Sequence, residues 1–150
     1  MREQISEGLK QALKARDARR TATLRAINAA IKDKDIAIRT EGRGPATQDE
    51  ILAIVQKMVK QREESFAIYA QAGRADLATV EKEEIDILNE FLPKALSEQE
   101  VEAAIRAAIA VTGAEGAKDM GKVIAQLKAD YPGRIDFGKA SGKVRSALAS

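Results

Sequence analysis

The chain has 150 residues, an apolar fraction of 45% and a formal net charge of +2, enough apolar content to build a core without disulfides or metal. Cysteine and histidine are both absent, which excludes disulfides, thiolate nucleophiles, Cys/His zinc sites and imidazole acid–base chemistry. The start, MREQISEGLK, carries no apolar run of signal-peptide length, and no later segment supplies the roughly 20 apolar residues that cross a bilayer. A cytoplasmic protein without membrane association is the expectation.

Residues 4–15 place Ile5, Leu9, Ala12 and Leu13 at helical spacing, and a second run carries Leu24, Ile27, Ile31 and Ile38. They predict a short helix followed by a longer one capped by Asp17. Arg16, Arg19, Arg20 and Arg25 crowd the start of that second helix, where positive charge opposes the helix dipole. A solvated face is expected there, with phosphate binding as the alternative.

Glu41-Gly-Arg-Gly-Pro45 breaks the pattern and predicts a mobile loop. Thr47-Gln-Asp-Glu50 is a capping box that opens a long helix, whose apolar stripe runs Ile51, Val55, Met58, Val59, Phe66 and Tyr69 and stops near Gly73. Arg62 falls on that stripe, where spacing calls for an apolar residue. It needs a carboxylate, and Glu81 and Glu84 of the next helix are in position if the two helices fold back on each other; a structural ion pair is expected over a ligand-binding arginine. Leu77, Val80, Glu84 with Ile85, Leu88 and Leu92 give that next helix its face, and Pro93 ends it. Glu81, Glu83, Glu84 and Asp86 also raise a carboxylate metal cluster, set aside in favour of a solvated helix surface.

The segment from Phe91 to Ser97 is the expected domain boundary, because Pro93 stops one helix and Ser97-Glu-Gln-Glu100 is a second capping box. Val101, Ile105, Ala108, Ile109 and Thr112 form the next stripe, ended by Gly113; Met120, Val123, Ile124 and Leu127, then Ala140, Val144 and Leu148, predict two more short helices, the last capped by Asp136. No run alternates apolar and polar residues long enough for a strand. The expected fold is all-α: an N-terminal helical hairpin bundle over residues 1–92 and a small three-helix domain over residues 97–150.

Between Thr112 and Val144 the residue choices exceed what helix packing requires. Glycines punctuate this stretch, Gly121 standing out as a close-packing site inside a helix, and Lys118, Lys122, Lys128, Arg134, Lys139, Lys143 and Arg145 outnumber Glu115, Asp119, Asp130 and Asp136. Lys118 and Lys122 are four apart and share a helical face, which Arg134, Lys139 and Lys143 can extend. The pattern is a mild basic patch suited to phosphates.

Lys57-Met-Val-Lys-Gln-Arg-Glu-Glu-Ser65 with Tyr69, the segment from Gly73-Arg-Ala-Asp-Leu77 to Leu92-Pro93 containing Glu81 and Glu84, and Lys118-Asp-Met-Gly-Lys-Val123 together resemble the YqeY-like family along nearly the whole chain. The C-terminal part is similar to the tail domain of the B subunit of tRNA-dependent amidotransferases, the GatB/YqeY domain. That similarity implies a small helical tail that helps hold misacylated tRNA, while the amidation chemistry lies in other domains and subunits. Lys118, Asp119, Met120, Gly121 and Lys122, then Gly133, Arg134 and Asp136, match the tail pattern. Gly116-Ala117 departs from it, because a hydroxyl residue is expected there to cap the helix, and weaker capping loosens the turn before Lys118.

Three functions follow for consideration. The first is a non-catalytic tRNA-binding accessory using Lys118, Lys122, Arg134, Lys139 and Lys143; Tyr131 and Phe137 are the local rings, expected in the core or turn rather than under a base. The second is a helical adaptor for a translation or amidotransferase component, docking through amphipathic N-terminal helices. The third is participation in glutamine-dependent carbon–nitrogen ligase activity. It lacks an activated nucleophile, since the serines occupy helical or capping contexts and Ser141 diverges from Lys139 and Lys143, two residues away on either side. No catalytic residue, cofactor or metal is assigned, and the enzyme question stays open with the weight against it.

Overall fold

The computed structural model describes residues 1–149. It is all-helical, with no strand among the described residues. The chain divides into two compact units, Met1–Leu92 and Pro93 onward, each with its own apolar core.

The first unit holds α1 (Arg2–Lys14), α2 (Ala18–Arg39), α3 (Gln48–Gln71) and α4 (Ala75–Asn89). Helix α1 turns into α2 through Arg16, whose φ of 57° is left-handed, and the Asp17 side chain then accepts a hydrogen bond from the Arg20 amide to start α2. At Gly8 a Cβ would lie 3.3 Å from Leu24 Cδ1, so this glycine lets α1 and α2 approach closely. Thr47 opens α3 with a complete capping box: its hydroxyl accepts from the Glu50 amide, and the Glu50 carboxylate accepts from the Thr47 amide. The core between these helices is built from Ile5 of α1, Leu24 and Ile27 of α2, Val55 of α3 and Leu88 of α4, all fully buried.

Two expectations change in this unit. The apolar stripe of α3 does not stay buried to Tyr69: the core cluster stops at Val59 on α3 and resumes at Ile85 on α4. Between them runs a two-helix hairpin that one partner cannot enclose, leaving Phe66 38% and Ile68 64% exposed. The arginines at the start of α2 are not simply a solvated face either. Arg20 is bidentate to Glu90 at 2.8 and 2.7 Å, and Arg19 reaches Glu83 at 3.2 Å and Glu84 at 3.8 Å. Helix α4 and its C-terminal cap Glu90 carry these carboxylates alongside α2, so the charges of Arg19 and Arg20 are paired within the unit.

The second unit holds α5 (Glu98–Thr112), a 3-10 turn (Ala117–Asp119), α6 (Met120–Asp130) and α7 (Phe137–Ala149). Ser97 repeats the capping box with Glu100, and Gly113 ends α5 with φ 66°. Ile105, Val123, Leu127, Ala140 and Val144 close a core to which α5, α6 and α7 each contribute. The residues just before Ser97 are not loose: Leu96 packs against this core, and its amide donates to the Arg134 carbonyl at 2.9 Å.

Candidate basic site

The cations of the second unit divide according to what holds them. Arg134 lies in the turn between α6 and α7, half-buried, with its Nε donating to the Lys94 carbonyl at 2.9 Å. Together with the bond from the Leu96 amide, this makes Arg134 the residue that ties the segment before α5 to the α6–α7 turn. Lys128 sits over the Phe137 ring at 5.6 Å from its centroid, a cation–π contact. Phe137 and Tyr131 both pack against the core, so neither ring is free to stack on a base.

Lys122 lies 3.6 Å from Asp119, one turn back, and remains largely exposed. Asp119 has a second task. Its Oδ2 accepts a hydrogen bond from the Glu115 amide at 3.0 Å, and that bond, with the charges of Lys122 and Lys118 nearby, holds the carboxyl below the usual aspartate range. The turn before Lys118, expected to be loosened by the missing hydroxyl at Gly116-Ala117, is thus closed from the other end, by a carboxylate reaching back. Gly121 is also corrected: it is exposed, and a Cβ there would meet nothing within 4 Å, so no close packing depends on it.

Helix α7 presents Lys139 and Lys143, four apart. Asp136 starts the helix by accepting from the Gly138 amide at 3.0 Å and the Lys139 amide at 3.3 Å, which fixes where Lys139 leaves the backbone. Ser141, the hydroxyl closest in sequence to both lysines, donates to the Phe137 carbonyl at 2.8 Å and is occupied within the helix. Lys143 faces a cleft of about 320 Å3 between α5 and α7. Helix α5 contributes Glu102, Ile105 and Arg106 to that cleft, and α7 adds Gly142 and Ser146 beside Lys143. Arg106 is a site residue that sequence reasoning missed. Its four-residue spacing from Glu102 reads as an ordinary solvated pair, and only tertiary packing sets it across from Lys143.

The arrangement therefore brings Lys143 and Arg106 to one cleft, with Lys139 one turn away on the same helix, and leaves Lys118 exposed in the 3-10 turn before α6. Arg134 keeps its charge but commits its Nε to the Lys94 carbonyl. In the first unit, Arg62 Nε donates to Glu84 Oε2 at 2.7 Å, and Arg62 Nη1 donates to the Met58 carbonyl at 3.3 Å. Glu81 takes no part in that bond. Glu83 and Glu84 face arginines and Asp86 pairs with Lys82, and no group of three or more acidic residues among those described is placed to hold a metal ion.

The family model described as YqeY-like protein matches residues 2–148. Among known proteins, the chain is 30% identical over 149 residues to Altered inheritance of mitochondria protein 41, mitochondrial, of Eremothecium gossypii, covering 97% of this chain and 79% of that protein. It is 28% identical over 145 residues to the protein of the same name from Clavispora lusitaniae, covering 95% and 81%. These relatives overturn the expectation of a cytoplasmic protein, since both are named as mitochondrial. That expectation rested on the lack of an apolar leader and of a bilayer-length segment, and neither feature separates the cytoplasm from an organelle interior. No helix among the described residues is long and apolar enough to cross a membrane. With nearly the whole chain matched by one family and its helices in place, the protein belongs to the YqeY-like family.

Proposed function

We propose that this protein is a non-catalytic accessory that binds RNA, with tRNA as its ligand, through the second unit. The observation that carries this reading is a set of cations there without a hydrogen bond or ion pair: Lys118 in the 3-10 turn before α6, Lys139 and Lys143 on α7, and Arg106 on α5. Their partners in a complex are phosphates, which position an RNA without reading its sequence. The resemblance of the Lys118-Asp-Met-Gly-Lys122 turn to the tail of tRNA-dependent amidotransferases supports tRNA among RNAs.

The adaptor alternative has less support. Among the described residues the large exposed apolar side chains are Leu13, Ile36, Phe66, Ile68 and Val111, scattered over four helices. Phe66 and Ile68 are two apart on α3 and point to opposite sides, so they do not form one groove. Amidotransferase chemistry also lacks a nucleophile, with cysteine absent and Ser141 bonded within its helix.

The test is retention of tRNA in a gel-shift titration at low salt by wild type and by the triple variant Lys118→Glu, Lys139→Glu, Lys143→Glu. Arg134 is left alone because it holds the segment before α5. Loss of the shifted band with an unchanged circular dichroism spectrum supports the reading. Equal retention shows that the basic surface is only solvated.

A further inference from the structure

The cleft between α5 and α7 has a composition that phosphate contacts alone do not explain. Its apolar surface comes from Ala147, above the buried Ile105, and its two cations, Arg106 and Lys143, come from facing helices without a hydrogen bond or ion pair among the described residues. Gly142 also lines the cleft, just before Lys143 in the middle of α7, where glycine destabilises a helix relative to alanine. The packing of this chain does not require that glycine: a Cβ at position 142 would meet nothing within 4 Å. The missing side chain leaves open backbone facing Arg106 and Lys143. At about 320 Å3 the space lies near the small end of ligand sites, roughly 300–1,000 Å3, too small for a docked helix and suited to one compact group.

We infer that this cleft binds one nucleoside monophosphate unit, its phosphate on Lys143 and Arg106 and its base over Gly142 against Ala147. An unpaired nucleotide splayed from an RNA has the required form, an anionic group attached to a flat apolar face that arginine guanidinium planes also stack on. Glu102 supplies the polar end of the cleft. Its carboxylate only accepts hydrogen bonds, so it suits the exocyclic amino group of cytosine, adenine or guanine, which uracil lacks. The source of the nucleotide, RNA or free monophosphate, is separated by the experiment, and the RNA arm rests on the RNA-binding reading above.

In the RNA arm, an RNA hairpin with one unpaired 3′ cytidine is compared with the same hairpin carrying an abasic 3′ residue of equal charge. Wild type is expected to bind the cytidine form about tenfold more tightly, and Gly142→Leu, which fills the cleft without changing charge, to bind both forms like wild type on the abasic one. Gly142→Ala serves as the folding control, since alanine favours the helix. Equal wild-type affinities for the two hairpins, with affinity unaltered in Gly142→Leu, overturn the nucleotide cleft while leaving RNA binding intact. Binding of neither hairpin overturns the RNA-binding reading, and the second arm then decides the cleft. In that arm CMP and UMP are titrated into the labelled full chain; amide shifts centred on Gly142, Ser146 and Arg106 that saturate with CMP at several-fold lower concentration than with UMP support the site. Absence of shifts there overturns it.

Discussion

Arg62 of α3 and Glu84 of α4 bond at 2.7 Å where the core cluster gives way to the protruding hairpin. Their side chains are 20% and 17% exposed, so the pair is desolvated enough for its loss to be felt and wet enough that it is not an isolated buried charge. Arg62→Ala and Glu84→Ala are each expected to lower the unfolding free energy by about 1–2 kcal/mol in urea titrations, with a coupling of about 1 kcal/mol in the double-mutant cycle. Glu84→Ala is the costlier change because Glu84 also lies 3.8 Å from Arg19. Strict additivity would show that the two side chains contribute independently.

Acid should weaken the first unit through Asp35 and Glu50. The bidentate Arg2 guanidinium and the Ala46 amide hold the Asp35 carboxyl down at about 2, from an ordinary 3.8. Arg43 and the Thr47 amide hold Glu50 at about 2, from 4.5. Both folded values lie below the unfolded ones, so the stabilisation is present above about pH 4.5 and lost as pH falls toward 2. Thermal melts from pH 7 to pH 2 are expected to show Asp35→Asn less stable than wild type at neutral pH, the gap closing between pH 4 and pH 2. A gap that stays constant across that range would show that Arg2 does not depend on the Asp35 charge.

Arg134→Ala should act on stability rather than on ligand binding. It removes the donor to the Lys94 carbonyl, a bond spanning 40 residues, at an expected cost of about 1 kcal/mol. Lys at this position keeps the charge without the planar Nε donor and is expected to recover little of the loss. Full recovery of the melting temperature in Arg134→Lys would assign Arg134 to charge alone.

The salt dependence of tRNA binding reports how many phosphates are engaged. With roughly three to five contacts, log affinity should fall with log salt at a slope of about −3 to −4.5. Changing Lys139 to glutamine should make the slope less negative by about 1 and weaken binding uniformly across tRNA species. A slope near zero would remove the electrostatic basis for the site.

Helix positions and their starts were readable because their causes are local. Thr47 with Glu50 and Ser97 with Glu100 are three residues apart, and Ile27, Ile31 and Val55 follow the helical period of a buried face. Periodicity shows that a face is apolar and does not show what covers it, which is why Phe66 matched a buried stripe and is exposed. The site was harder to read for the same reason. Lys139 and Lys143 stood out by spacing, but the opposition of Arg106 to Lys143, the capture of Arg134 by Lys94 and the closeness of Gly8 to Leu24 all depend on which helices meet. In each case the partners lie too far apart in sequence for local pattern to link them.

The two bonds at Arg134 also set where this protein can be cut. A fragment beginning at Ser97 would keep α5, α6 and α7 but lose both the Lys94 carbonyl and the Leu96 amide, leaving one guanidinium donor and one carbonyl to water. Leu96, which packs against the core, would go with them. A fragment beginning at Pro93 retains all three contacts, so the four residues that look like a connector in the sequence act as the first layer of the second unit.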